Sequence, residues 1–438
     1  MQRREFIKTV SIALGAGGLA PRTLVAEDGS LARYFVENKP RLDKVVEFIK
    51  AGMRELIELK LNTRPLRGPK LPHPFIPVDV AENWRDFYYW DSYFIIRELL
   101  KQGHVNAAMN QLRDFLFMID KYGYVPNANV YLWAGHSQPP LLTSMVRLIV
   151  DRVQDQALLK ECYPYLKKEY GFWTGNYHLV KDTGFSRYQD TGLGWYGLLG
   201  HPQNKITNLQ AEAESGWDFN PRFENRCLQF LPVDLNSWLY KYETDLGWMG
   251  KQLSLGEAEV SSWEERAEFR AKNFNRIFWN DQEKFYFDYD FKNGRQGKVW
   301  SLAGFMPLWV GLADKDQARA AAANLQRFQK KCGLSVCDQD YGFHDRQWNH
   351  PNSWPPLTWW VEECLRAYGY EKEWQRIAMQ YLEVQTSLFE KHGAIYEKYN
   401  AETGGLDVTG GHERGTSPML GWSASTFTDF YDLAKLRL

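Results

Sequence analysis

Apolar residues recur at three- and four-residue spacing through most of this chain. Val45, Ile49, Met53, Leu56 and Ile57 share one face of a first long segment, and Ile95, Ile96, Leu99 and Leu100 share one face of a second. The same period predicts amphipathic helices near 104–120, 139–153, 155–175, 234–254, 256–278, 313–329, 356–369, 371–389 and 418–436. Strand-like pattern is sparse, and the run Lys284–Tyr289 predicts one short hairpin arm. No Ser/Gly/Pro-rich or single-charge tract divides the chain, and no short repeat is present. About a dozen helices joined by aromatic- and glycine-rich loops predict an all-α ring of helical hairpins whose loop-bearing end is the cleft.

Composition narrows the partners of such a cleft. The 438 residues can bury a large core, and 53 Lys and Arg against 54 Asp and Glu give nothing to attract nucleic acid or an anionic membrane. The 18 Trp are unusual beside a mean hydropathy of −0.51. More than half of them belong to packing between helices; the rest suit a polar cleft, where flat rings stack on the C–H faces of sugars. A small neutral oligosaccharide bound by a monomer is the expected partner.

The chain begins with Arg3, Arg4, Glu5, Phe6, Ile7 and Lys8, a twin-arginine motif, followed by a short apolar stretch from Thr9 to Ala20. Residues 1–26 are read as a leader for the twin-arginine export machinery and 27–438 as a single catalytic domain, periplasmic or secreted. No later segment has the apolar length to insert in a membrane. Five scattered cysteines do not form a disulfide scaffold; Cys332 and Cys337 are near enough to bridge a loop, but their spacing is not that of a redox or zinc pair.

The sharpest candidate for chemistry is the run Glu214–Phe219. It sets Asp218 between Trp217 and Phe219, after a glycine that allows a sharp turn. An apolar wall disfavours the charged carboxylate, so Asp218 is a candidate proton donor; a buried helix cap fits the same run equally well. Arg85, Trp90 and Asp91 lie in the densest aromatic cluster, just before an apolar helix, where Asp91 either caps that helix or holds a hydroxyl. Asn127, His136 and Gln138 offer groups that satisfy hydroxyls without burying net charge, although Pro and Asn here also form turns. Trp348 stands among amides in a pre-helical loop, and Glu413 follows a glycine pair, with Trp422 closing the run. Asp288 and Asp290 read as a solvated turn rather than a calcium site. No metal-ligand spacing or phosphate-binding glycine loop is present, so no metal or cofactor is expected.

Taken in order, these runs resemble the trehalases, glycoside hydrolase family thirty-seven. The resemblance extends from about Pro74 to Trp422 and rests on Phe87–Tyr93 with Ile95, Ile96 and Arg97; Ser137–Pro140; Ser215–Phe219; Val233–Ser237; and Gln347, Trp348, Pro351, Asn352 and Trp354. It implies an (α/α)6 toroid and an inverting α-glycosidase, with Asp218 as acid and Glu413 as base. It also implies that Trp90, Asp91, Asn127, Gln138 and Trp348 contact sugar. Two arginines of the family pattern are replaced by Asn83 and His136, and its Arg-Pro-Glu-Ser segment is not reproduced by Arg187–Asp190. Replacing a guanidinium fork changes how hydroxyls are read. The expected substrate is trehalose, with another small α-glycoside such as glucosylglycerate, or sugar binding without turnover, as alternatives.

Overall fold

The computed structural model describes residues 30–63, 67–175, 177–191, 207–343, 345–410 and 415–438. The predicted helices form, most of them within two residues of the expected ends. They alternate between an inner and an outer position. The inner helices are Asp91–Lys101, Leu142–Val153, Val233–Gln252, the short pair Leu302–Phe305 and Met306–Trp309, Pro355–Ala367 and Gly421–Lys435. Each packs on the next, and the last packs on the first, so the six close into a ring. The outer layer is Ser30–Glu58, Val105–Tyr122, Gln156–Trp173, Glu257–Phe278, Lys315–Phe328 and Glu371–His392. Ser30–Glu58 packs against Glu371–His392 and Gly421–Lys435, joining the two ends of the chain across the seam. This is the (α/α)6 toroid.

The two ends of the ring differ because their connections differ. An inner helix passes to the next outer one through a tight turn, such as Gln102–His104, Gln154–Asp155 or Tyr368–Tyr370. Each of the five tight turns contains one left-handed residue: Gly103, Gln154, Ser254, Gly311 or Gly369. At the opposite end the loops are long, and they deliver every inner helix with its N-terminus toward them. Backbone N–H groups and the positive ends of the helix dipoles therefore converge on the cleft.

Three local departures from the sequence expectation have physical reasons. The inner helix around Met306 has no readable period, because Leu302, Ala303, Phe305, Met306 and Leu308 are buried on all sides. The helix expected from 139 begins at Leu142, since Pro139 and Pro140 hold an extended approach. The helix expected from 418 begins at Gly421; the preceding residues pair with the loop before them, with Met419 N donating to Ile395 O at 3.0 Å.

Strands are two residues long and clip the loops together. Phe285–Tyr286 is the second arm of a hairpin with Trp279–Asn280, as expected, while Tyr289–Asp290 pairs with Phe230–Leu231 on one side and Arg295–Gln296 on the other. Asn352–Ser353 pairs with Tyr399–Asn400, which ties two cleft loops in register. All five cysteines are buried and free. Inside the ring, Glu169 accepts the hydroxyls of Tyr89 at 2.7 Å and Tyr242 at 2.8 Å; burial pushes its carboxyl up to about 7 against those bonds.

The solvated-turn reading of Asp288 and Asp290 is corrected. Both are buried, and both are ion-paired: Asp288 with Arg222 at 2.8 Å and Asp290 with Arg226 at 2.6 Å. Arg222 also forms a fork with Asp234, at 2.7 and 2.8 Å, so one guanidinium satisfies two buried carboxylates. Burial alone would lower the Arg222 pKa, but Asp234 and Asp288 outweigh it and hold the group well above its usual value. The Val233–Ser237 motif is thereby explained as structure, since Asp234 holds Arg222 and Asn236 holds the Ser186 backbone.

Candidate active site

The long loops enclose a cavity of about 380 Å³. Tryptophans form its walls. Trp348 lies flat on Trp354, centroids 3.7 Å apart, and Trp90 and Trp422 approach it at 5.6 and 6.3 Å. Trp90 precedes one inner helix, Trp354 precedes another and Trp422 lies in the first turn of a third, so closing the ring brings together rings far apart in sequence. Tyr88, Trp84 and Trp133 add a further aromatic side.

Asp218 lies in the cavity wall beside Phe219 and Trp348. Its turn is built from buried polar groups. Gly216 is left-handed at φ 71°, and a Cβ there would lie 3.0 Å from Pro139 Cδ and Trp90 Cε2, so the glycine is needed for conformation and for space. Asn220 N donates to Glu212 at 2.5 Å, and Asn220 Nδ2 donates to Trp217 O at 2.7 Å. Burial pushes the Glu212 carboxyl up to about 7. Glu214, wholly buried, accepts from Ser137 N at 3.1 Å and Gln189 N at 2.8 Å and contacts His178 Nε2 at 2.9 Å. One carboxylate thus gathers three loops behind the acid candidate.

The same cavity is lined by Glu397 and Lys398, both buried. The chain bends at Glu397, which lets consecutive side chains face one space. Glu397 N donates to Ser417 O at 3.0 Å, and Glu397 O accepts from Trp422 Nε1 at 3.1 Å. Neither residue was a sequence candidate. The signal was present, since Tyr396 and Tyr399 flank the pair much as Trp217 and Phe219 flank Asp218.

Asp91, Asn127, His136, Gln138, Trp90, Trp348 and Trp422 all line the cavity. Asp91 is the first residue of its helix rather than its cap. Burial pushes its carboxyl well above the usual range, against a bond from its own amide, and the charges of Glu397 and Asp218 add to the rise. A protonated Asp91 can both donate to and accept from a hydroxyl. Gln138 is oriented by Trp90 N, which donates to its Oε1 at 3.1 Å. Asn127 N donates to His136 O at 2.8 Å, joining these two loop positions.

Other candidates lie elsewhere. Trp217 is behind the wall, stacked on Trp348 at 5.6 Å and lying under the Arg222 guanidinium at 4.4 Å. Arg85 is not among the cavity-lining residues; its Nε donates to Val80 O at 2.8 Å. Glu413 lies outside the described residues, as does the leader. The divergent positions meet each other: His136 Nδ1 is 3.1 Å from Asp190 Oδ2, so the replaced arginine and the altered segment form one pair. Among the described residues no cluster of His, Cys, Asp or Glu is placed to hold a metal ion, and no helix is long and apolar enough to cross a membrane.

Comparison with known proteins shows the same fold and a family likeness. The periplasmic trehalase of Escherichia coli K12 (DH10B) is 30% identical over 398 residues, covering 83% of this chain and 69% of the relative. The structure of neutral trehalase from Saccharomyces cerevisiae superposes with a TM-score of 0.69 at 28% identity, over 82% of this chain and 72% of that one. Mannosylglycerate hydrolase from Thermus thermophilus shares the fold, with a TM-score of 0.62 at 18% identity, over 88% of this chain and all of that one. The trehalase family profile matches residues 32–196 and 199–434, and with these relatives it makes the chain a member of the trehalase family of glycoside hydrolases.

Proposed function

We propose that this chain hydrolyses α,α-trehalose with inversion, Asp218 protonating the leaving oxygen and Glu397 activating water. The observation carrying this reading is that both carboxyl-bearing side chains line one tryptophan-walled cavity from different loops. Inversion requires two carboxyl groups on opposite faces of the sugar, far enough apart to admit water between base and ring, which neighbours in sequence do not provide. Trp90, Trp348 and Trp422 supply stacking surfaces, and Asp91, Asn127 and Gln138 supply hydroxyl partners. Glu413, the base expected from the sequence, lies outside the described residues and is the rival for that role. Glu397 is favoured because burial beside Lys398 gives it a fixed position and a charge partner.

The His136–Asp190 pair favours a second reading of the substrate, in which another small α-glycoside replaces trehalose. An imidazole whose Nδ1–H faces a carboxylate presents Nε2 as an acceptor, whereas a guanidinium presents donors only. Time-resolved NMR of the anomer released from a panel containing trehalose, other α-linked glucose disaccharides and glucosylglycerate tests substrate and stereochemistry together. Trehalose should be turned over fastest, releasing β-glucose from the attacked ring and α-glucose as the leaving group in equal amounts. A fast alternative substrate with trehalose untouched would replace the substrate assignment, and release of α-glucose alone, with no β-anomer, would end the inverting mechanism.

His136→Ala is expected to raise the trehalose KM by roughly tenfold, the worth of one lost hydrogen bond, with a smaller change in kcat. A kcat loss at unchanged KM would place His136 in the chemistry instead. The periplasmic relatives and the twin-arginine leader support export of the folded monomer to the periplasm or beyond.

A further inference from the structure

Lys398 has a peculiar placement for a lysine in a neutral-sugar site. Its side chain is buried, with Nζ 3.1 Å from Glu397 Oε2, 3.0 Å from Gln347 Oε1 and 4.7 Å from the Trp354 ring centroid. A buried ammonium costs several kcal/mol unless its bonds and charge are satisfied. Three partners converge on this one.

Gln347 extends the arrangement to the backbone of the other acid. Its Nε2 donates to Asp218 O at 2.5 Å, and the next residue donates from Trp348 N to Phe219 O at 3.1 Å. Gln347 O is itself held by Asn352 Nδ2 at 2.8 Å and Trp354 Nε1 at 3.2 Å. On the other side, the Lys398 backbone is fixed by Thr416, whose Oγ1 accepts from Lys398 N at 3.3 Å and donates to Lys398 O at 3.0 Å. A continuous path therefore runs from the Glu397 carboxylate through Lys398 and Gln347 to the backbone of Asp218.

We infer that Lys398 is the positioning residue of this site, orienting the Glu397 carboxylate and, through Gln347, setting its separation from Asp218. The inference rests on Glu397 being the base. Lys398 touches no reacting atom in this role. Its first effect is geometric, since an inverting pair works only within a limited range of separations. Its second is electrostatic. Among the described residues, Asp91, from the first turn of its inner helix, interacts electrostatically with both Glu397 and Asp218; Tyr88 and His136 line the same cavity, with Asp190 3.1 Å from the His136 ring. Any ionised carboxylate in this cavity opposes the Glu397 charge, and Lys398 favours it.

The test is the pH dependence of kcat and KM for the full-length Lys398→Met, Lys398→Arg and Gln347→Leu variants, with Glu397→Gln beside them. Lys398→Met should lower kcat by about 10- to 100-fold with KM nearly unchanged. It should also move the acid limb of kcat/KM upward by about one pH unit or more, because an opposite charge at this range favours the ionised carboxylate by that much. Lys398→Arg should return the limb to its wild-type position while recovering only part of kcat. Gln347→Leu should lower kcat without moving the limb, and it reads the geometric arm if Lys398→Met does not fold. A folded Lys398→Met enzyme with the wild-type acid limb, or a loss confined to KM, overturns the inference. Near-normal turnover in Glu397→Gln would overturn the base assignment first, which separates the two failures.

Discussion

Asp218→Asn and Glu397→Gln are each expected to lower kcat by about 100- to 10,000-fold while sugar binding persists, since each removes a proton transfer and little shape. The amide of either variant keeps hydrogen-bonding capacity but does not cycle a proton. Trehalose binding by calorimetry should stay within about tenfold of wild type, because the tryptophan walls and Asp91, Asn127 and Gln138 remain. Glu413→Gln completes the comparison. A loss of turnover larger in Glu413→Gln than in Glu397→Gln would move the base to Glu413, and near-normal kcat in Asp218→Asn would remove the acid assignment. The double variant Asp218→Asn/Glu397→Gln should be no slower than the sum of the singles implies, because groups acting on one transition state are not additive.

Arg222→Met should destabilise the fold by about 3–5 kcal/mol, the cost of leaving buried carboxylates without their cation. Asp234 is wholly buried and Asp288 is 4% exposed, so neither can turn to solvent for compensation. Urea unfolding reads the loss directly, and part of the activity should fall with it, since the Arg222 guanidinium lies on the Trp217 ring beside the Asp218 turn. Neutralising all three groups, as Arg222→Met with Asp234→Asn and Asp288→Asn, should recover much of the stability. The asparagines still accept from Leu235 N and Val233 N, which the two aspartates now serve. A single variant that loses less than about 1 kcal/mol would mean that the charges are solvated after all.

The helical ring was legible because amphipathic period is a local property. Residues such as Ile95, Ile96, Leu99 and Leu100 announce their buried face within one segment. The Leu302–Trp309 helix escaped because burial on all sides erases the period. Asp218 was legible through its aromatic neighbours and its glycine. Glu397 and Lys398 had the same kind of signal, yet a charged pair between tyrosines is ambiguous until a cavity lies in front of it. Arg85 illustrates the converse: an arginine in the right cluster turned toward the Val80 carbonyl, a choice made by loop geometry rather than by residue type. Asp288 and Asp290 looked solvated because the arginines that bury them, Arg222 and Arg226, stand more than sixty residues away in the chain.

By itself the sequence determined the helical class, the order of the motifs and the presence of an acid in an apolar run, since each depends on residues close along the chain. Tertiary structure alone decided which side chains share the cavity. Closing six inner helices into a ring brings the loops around Trp90, Asp218, Trp348 and Glu397 to one end, and only then do Lys398 and Gln347 link the Glu397 carboxylate to the Asp218 backbone. It also placed His136 against Asp190. Burial and charge pairing across such distances are properties of packing, and no local pattern of residue types encodes them.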